Sequence, residues 1–242
     1  ITKTTVVPFS LNLRGIKSKQ SNLHVKIHKL HCTKEKNCSC PCLKETAEVK
    51  YLGIMIDQYL RWDKHIAYLC TRLRKIIYNF VILRSYLPVY TLRMVYLSLV
   101  QSVLQYGIIG WGSVNTSTLF PLILIQKRII KICLKKPIDY PTESLFLEFN
   151  VSKIQQIYHY TLLNYIHKNI IHFQNFSHNH STRAIERLCL VEPKCFTSAG
   201  LRHSANLGPR LYNKVLKKCP NLKNYTMNKF KHTIKDIIKH DL

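Results

Sequence analysis

Six residues between positions 28 and 42 carry the densest metal-ligand chemistry in the sequence: His28, His31, Cys32, Cys38, Cys40 and Cys42. Thiolates and imidazoles suit a tetrahedral zinc ion, and a loop of this size needs such a staple to hold one shape. Cys32, Cys38, Cys40 and Cys42 are the candidate zinc ligands. Their Cys-x-Cys-x-Cys run departs from the paired Cys-x-x-Cys of common zinc modules, so a surface insertion between two strands is the competing reading. Cys189, Cys195 and Cys219, with His203, form a looser set whose spacings match no nucleic-acid-binding knuckle. Buried thiols explain them more simply, and a Cys/His nucleophile pair would lack an orienting partner.

Carboxylates tell by their scarcity. The aspartates are Asp57, Asp63, Asp139, Asp236 and Asp241, and no two are adjacent. Two-metal nucleotidyl transfer needs paired carboxylates to hold divalent ions against phosphates. Asp57 and Asp63 read better as a turn former and as a helix cap or first-turn charge.

Cations dominate. Thirty-seven Lys and Arg face 12 acids, a net charge of +25. Such an excess makes a polyanion the natural partner, because each neutralised phosphate releases condensed counterion. An anionic membrane surface fits less well, since the basic residues are spread over several helices instead of one lipid-facing stripe. Arg72, Arg74, Lys75, Lys127, Arg128, Lys131, Lys135 and Lys136 are the candidate phosphate contacts. Ordinary solvated faces are the alternative, but a merely soluble helix interleaves Glu with Lys. Tyr51, Trp62 and Tyr106 offer rings for stacking on bases or sugars. Trp62 and Tyr106 read better as packing between helices.

The elements that must position these groups follow from periodicity. Thr4–Val7, His24–Ile27 and Val49–Ile56 have the branched, alternating character of strands. From Lys64 the period changes: Ile66, Leu69, Leu73, Ile76, Phe80 and Leu83 form one helical stripe. A second helix is expected over Thr91–Tyr106, with Leu92, Val95, Leu99 and Val103 inward, and a third over Thr118–Lys135, with Pro121 in its first turn. A short helix follows at Thr142–Phe149, then one capped by Ser152 and reaching His172. Gln174–Thr182 is the best linker, followed by helices near Pro209–Lys217 and from Met227. No apolar run is long enough to span a bilayer and no signal-peptide pattern is present, which favours an intracellular protein.

An ordered series of motifs carries a family resemblance. Tyr51-Leu52-Gly53, the Asp57–Asp63 turn and the basic helix after it come first. The segment Tyr96 to Gly107, closing at Trp111-Gly112, comes next, then Gln126-Lys127-Arg128, and finally Gly208-Pro209-Arg210-Leu211-Tyr212-Asn213. The series resembles the end of the palm, the thumb and the C-terminal tail of non-LTR retrotransposon reverse transcriptases, the Jockey-like arthropod type. The resemblance implies an α+β, mostly α-helical fold, in which a small β remnant of the palm precedes a helical thumb and a helical C-terminal region. It divides the chain into 1–56, end of palm with the Cys-rich insertion; 57–112, thumb; 113–173, helical extension; and 174–242, basic tail.

By the same resemblance Tyr51, Leu52 and Gly53 are the primer grip, and Lys3 takes the place of the lysine near the departing pyrophosphate. Arg72, Arg74, Lys75, Lys127, Arg128 and Lys131 hold the duplex. The implied partners are an RNA template and DNA primer, together with the remaining palm and fingers. The family's adjacent aspartates do not occur in this sequence, so magnesium chemistry belongs to the intact polymerase, and this chain alone is expected to be inactive. A non-enzymatic basic nucleic-acid-binding protein derived from a transposon is the alternative, and a zinc-stapled interaction module a third reading. A nuclear location follows if the chain belongs to an active element.

Overall fold

Two turn-forming sequences, Leu52-Gly53 and the stretch after Asp57, set the architecture of the N-terminal part. The structure is a computed structural model that describes residues 4–9, 25–28, 32, 38, 40–173 and 189–241. The residues fall into two compact units, 1–68 and 69–242. The fold is α+β and mostly α-helical, with a small β part, as the sequence leads one to expect. Lys3, His24, His31 and the linker segment 174–182 lie outside the described residues.

In the first unit, β1 (Thr5–Val6) pairs in parallel with β2 (Lys44–Glu45). The segment at Val25–His28 makes a single bridge, Lys26 to Cys42, in place of a strand. Val49–Ile56, expected as one strand, is a hairpin of β3 (Glu48–Tyr51) and β4 (Ile54–Asp57). The reason is the turn. Leu52 (φ 47°) and Gly53 (φ 82°) both take left-handed backbone, the geometry of a tight two-residue hairpin.

After β4 the chain turns on one carboxylate. Asp57 Oδ1 accepts the N–H groups of Tyr59 and Arg61 at 3.0 and 3.1 Å, and Oδ2 accepts that of Trp62 at 2.9 Å. These bonds hold Leu60 and Trp62 at positive φ, a conformation that branched and aromatic residues otherwise avoid. Asp57 is therefore the turn former, and Asp63 is the acid in the first turn of α1 (Asp63–Leu83). Along α1, Ile66, Leu69, Leu73 and Phe80 are buried, while Arg72, Arg74 and Lys75 are exposed.

The second unit is built around α7 (Ile154–Lys168), whose Ile154, Ile157, Tyr158, Leu162, Leu163 and Ile166 are buried. A helix apolar on most sides must be covered on most sides. Helices α3 (Ser102–Gln105), α4 (Ile108–Trp111), α9 (Ser204–Lys218) and α10 (Met227–Asp241) all pack on it. Gly208 permits the closest approach, since a Cβ there would lie 2.5 Å from Ile166 Cδ1. Helices α5 (Thr116–Leu134) and α6 (Thr142–Phe149) pack together, with α2 (Val89–Tyr96) against α5. A short α8 (Ser198–Arg202) precedes α9. The tracts expected as thumb, extension and tail thus share one core from residue 69 onward.

Four local expectations change. Between α2 and α3 the chain makes a π-helical turn, Leu97–Gln101, in which the Ser102 N–H reaches back to the Leu97 carbonyl. Past the wider turn Val103 is buried as expected, but the inward positions around it change. Val100 and Leu104 are buried, and Leu99, expected inward, is 44% exposed. Helix α5 starts at Thr116, so Pro121 lies in its second turn, and α9 starts at Ser204, so Pro209 does too. Helix α7 is capped at Lys153, whose N–H donates to Gln156 Oε1 at 3.0 Å. Ser152 is not the cap; its carbonyl accepts from Gln126.

Candidate nucleic-acid interface and metal-ligand group

The hairpin presents its turn to solvent. Tyr51 is 62% and Leu52 70% exposed, and Gly53 is exposed as well. An exposed leucine in left-handed backbone costs about 1 kcal/mol or more, which packing alone does not explain. The hairpin is fastened to the first turns of α1. The Met55 N–H donates to His65 Nδ1 at 3.3 Å, Lys50 Nζ sits 4.8 Å from the centre of the Tyr68 ring, and Lys64 pairs with Glu48 at 3.8 Å.

His65 makes this fastening sensitive to acid. It is 1% exposed, and burial lowers its pKa from 6.5 to about 4. The folded state therefore favours the neutral ring, which Met55 also requires at Nδ1. The contribution is complete above pH 6.5 and is lost as pH falls toward 4. We expect a loss of about 2 kcal/mol between pH 7 and pH 5. Urea unfolding of wild type and His65→Gln at both pH values isolates it from the other histidines; equal pH dependence in the two proteins would refute it.

The expected phosphate contacts divide into two kinds. Arg72, Arg74, Lys75 and Arg128 are exposed and Lys127 is half-buried. Among the described residues none of these five enters a salt bridge. Glu48, Glu143, Glu148 and Asp236 instead face Lys64, Lys153, Lys136 and His232. Lys131 differs, because its amine donates to the Ile138 carbonyl. Lys136 is held by Glu148 at 2.9 Å and lies over the Tyr140 ring, and the Glu148 bond raises its pKa. It is a poor phosphate contact. Lys135 is the left-handed cap that ends α5.

In the Gln126-Lys127-Arg128 motif the glutamine is not an interface residue. Gln126 is fully buried, and its amide donates to Tyr96 Oη at 2.8 Å and to the Ser152 carbonyl at 2.9 Å. It ties α5 to α2 and to the start of α7. Burial pushes the Tyr96 hydroxyl well above its ordinary pKa, so it stays protonated. Tyr106, expected between helices, is 54% exposed, and its carbonyl accepts from Trp111 Nε1 at 3.0 Å. Trp62 is half-buried, edge-on to His65.

A basic face on α9 lies outside the phosphate contacts expected from sequence. Arg210, Lys214 and Lys217 are exposed at i, i+4 and i+7, along a groove of about 570 Å³ that Cys189, Glu192 and Leu207 also line. The three-and-four spacing was the available signal. The family-like Tyr212-Asn213 pair beside it is structural. Tyr212 Oη meets His167 Nδ1 at 3.1 Å, and Asn213 exchanges hydrogen bonds with the backbone of Leu190 at 2.8 and 2.9 Å. Because His167 Nε2 donates to the Tyr225 carbonyl, Nδ1 accepts from Tyr212.

The Cys/His cluster survives in altered form. His28, Cys32, Cys38 and Cys40 bring one ligand atom each to within 4.8 Å of the others. Cys42, expected as a ligand, is outside the group and exposed, and His28 takes the fourth place. The nine cysteines are all thiols, with no disulfide. Cys70, Cys133 and Cys189 are buried, as the simpler reading expects, while Cys195 and Cys219 are half-buried. Burial pushes the Cys133 thiol up to about 12. Among the described residues no other His, Cys, Asp or Glu group of three or more is arranged to hold a metal ion.

No helix of the described residues is long and apolar enough to cross a membrane. Lys3, the candidate near the departing pyrophosphate, lies outside the described residues. Compared with family models, curated proteins and solved structures, the chain matches none.

Proposed function

We propose that this chain is the duplex-holding part of an RNA-directed DNA polymerase of the non-LTR retrotransposon kind. Exposed cations on α1 and α5 grip phosphates of the primer–template, and Tyr51, Leu52 and Gly53 form a grip at the primer end. Recognition follows backbone and duplex shape, with little base reading. On this reading magnesium is bound by the remaining palm, zinc by the Cys/His group, and the work is done in the nucleus. The observation that supports it best is the set of exposed Arg72, Arg74, Lys75 and Arg128, which among the described residues carry no salt bridge, while Glu48, Glu143, Glu148 and Asp236 face other groups. A second reading is a transposon-derived binding protein without enzymatic partners, supported by the excess of 37 Lys and Arg over 12 acids.

Fluorescence anisotropy separates the two. A thumb is expected to bind an RNA–DNA heteroduplex more tightly than a single strand of equal length, with log K falling linearly in log salt. Equal affinity for both would favour the second reading. No binding at about 0.1 M salt would refute both.

A further inference from the structure

We propose that His28, Cys32, Cys38 and Cys40 bind one zinc ion, and that this ion closes the insertion between β1 and β2. The inference concerns folding of the first unit and does not rest on the polymerase reading.

Three observations meet here. The first is distance. His28 Nδ1 lies 3.3 Å from Cys32 Sγ and 3.6 Å from Cys38 Sγ, and all four ligand atoms are within 4.8 Å of one another. With Zn–S near 2.3 Å and Zn–N near 2.0 Å, a tetrahedral centre spaces its ligands by roughly 3.5–3.8 Å. The group therefore needs only a small contraction to enclose a single ion.

The second is backbone register. The Ile27 N–H donates to the Pro41 carbonyl at 3.1 Å and the Leu43 N–H to the Val25 carbonyl at 2.8 Å, around the antiparallel bridge of Lys26 and Cys42. Two residues further along each segment, the same register sets His28 opposite Cys40. Lys26 Nζ donates to the Cys38 carbonyl at 3.2 Å and so ties Cys38 to the bridge residue. The ligand atoms that converge include His28 and leave out Cys42, which is the partner of Lys26 in the bridge.

The third is the weakness of the segment without a ligand. Among the described residues the two backbone bonds of this one bridge are too few to hold an isolated ladder in water. Half-buried thiols gathered at one point have little packing to hold them, whereas zinc binding to such a set supplies folding free energy directly. Three thiolates and one imidazole are the donors of a closed structural zinc site. On binding, the three S–H protons pass to solvent and His28 coordinates through neutral Nδ1, leaving a centre of net charge −1. The surrounding excess of Lys and Arg favours that charge.

The test uses the full chain, reduced and stripped of metal, then titrated with Co(II) and with Zn(II). Cobalt is expected to give the charge-transfer and d–d bands of a tetrahedral Cys₃His centre, saturating at one ion per chain and displaced by zinc. Cys32→Ser, Cys38→Ser and Cys40→Ser are expected to lose the saturating bands, and His28→Ala to shift or lose them. Cys42→Ser is expected to keep them. Hydrogen exchange provides a second readout if a variant folds poorly: the Ile27 and Leu43 amides are expected to be protected with zinc and to exchange freely after chelation. Absence of stoichiometric metal, loss of the bands in Cys42→Ser with retention in Cys32→Ser, or amide protection indifferent to zinc would each overturn the proposal.

Discussion

Replacing Arg72, Arg74 and Lys75 together by alanine is expected to weaken binding to an RNA–DNA duplex about a hundredfold near 0.15 M salt. Each phosphate contact contributes about 0.9 to the slope of log K against log salt, so losing three lowers the slope by about 2.7. At that salt the released counterions account for roughly two decades of affinity. The helix itself should tolerate the change, because all three side chains are exposed and form no salt bridge among the described residues, and alanine favours helix. The informative comparison is Lys229, Lys231 and Lys235 on α10, exposed cations of equal total charge. If these act only through the general field, their triple alanine variant changes affinity by a few-fold and leaves the slope nearly intact. Equal slopes for the two triple variants would show that α1 is no interface, and that the chain attracts nucleic acid by net charge alone.

The largest stability effect is expected at Trp111. It is the largest of the fully buried side chains, and its indole N–H donates to the Tyr106 carbonyl across the turn between α3 and α4. Trp111→Ala should cost about 3–5 kcal/mol, from lost burial and from the cavity left behind. That is a large share of the 5–15 kcal/mol typical of a folded domain, so the variant should be partly unfolded or close to it. Trp111→Phe keeps most of the apolar volume and loses the hydrogen bond, so about 1–2 kcal/mol is expected. The next residue reinforces the point. A Cβ on Gly112 would sit 2.6 Å from both the Ile108 carbonyl oxygen and Tyr158 Cδ2, so the glycine lets α4 settle on α7. Chemical denaturation, followed by far-ultraviolet circular dichroism, checks both variants. A Trp111→Ala protein as stable as wild type would mean that this junction does not hold the second unit together.

The two effects also separate function from fold. The α1 triple variant should bind poorly while unfolding at the wild-type denaturant concentration. Trp111→Phe should unfold earlier and, below its transition, bind with an unchanged salt slope.

Local patterns carried some of this chain's structure in plain form. The stripe Ile66, Leu69, Leu73 and Phe80 is the buried face of α1, and α6 occupies the segment read for it, Thr142–Phe149. Asp57 was legible as a turn former because a short carboxylate before a helix can satisfy free backbone N–H groups. The mostly helical fold and the excess of unmatched cations belong to the same level, since periodicity and composition need no partner. What only the tertiary structure decided depended on neighbours. The π turn at Leu97–Gln101 moved Leu99 outward, and nothing in the spacing of Leu92, Val95, Leu99 and Val103 announces it. Gln126 directly precedes Lys127 and Arg128, yet Tyr96 and the Ser152 carbonyl draw it fully inside. Lys131 and Lys136 read as free cations until Ile138 and Glu148 come within reach. The exchange of Cys42 for His28 has the same origin: sequence gives the ligand types, but the register of two short segments decides which atoms converge. Periodicity fixes which side of a helix is apolar because that depends on one chain's own geometry. Which polar groups are left for a ligand depends on every element packed around them, and that is settled only when the chain has folded.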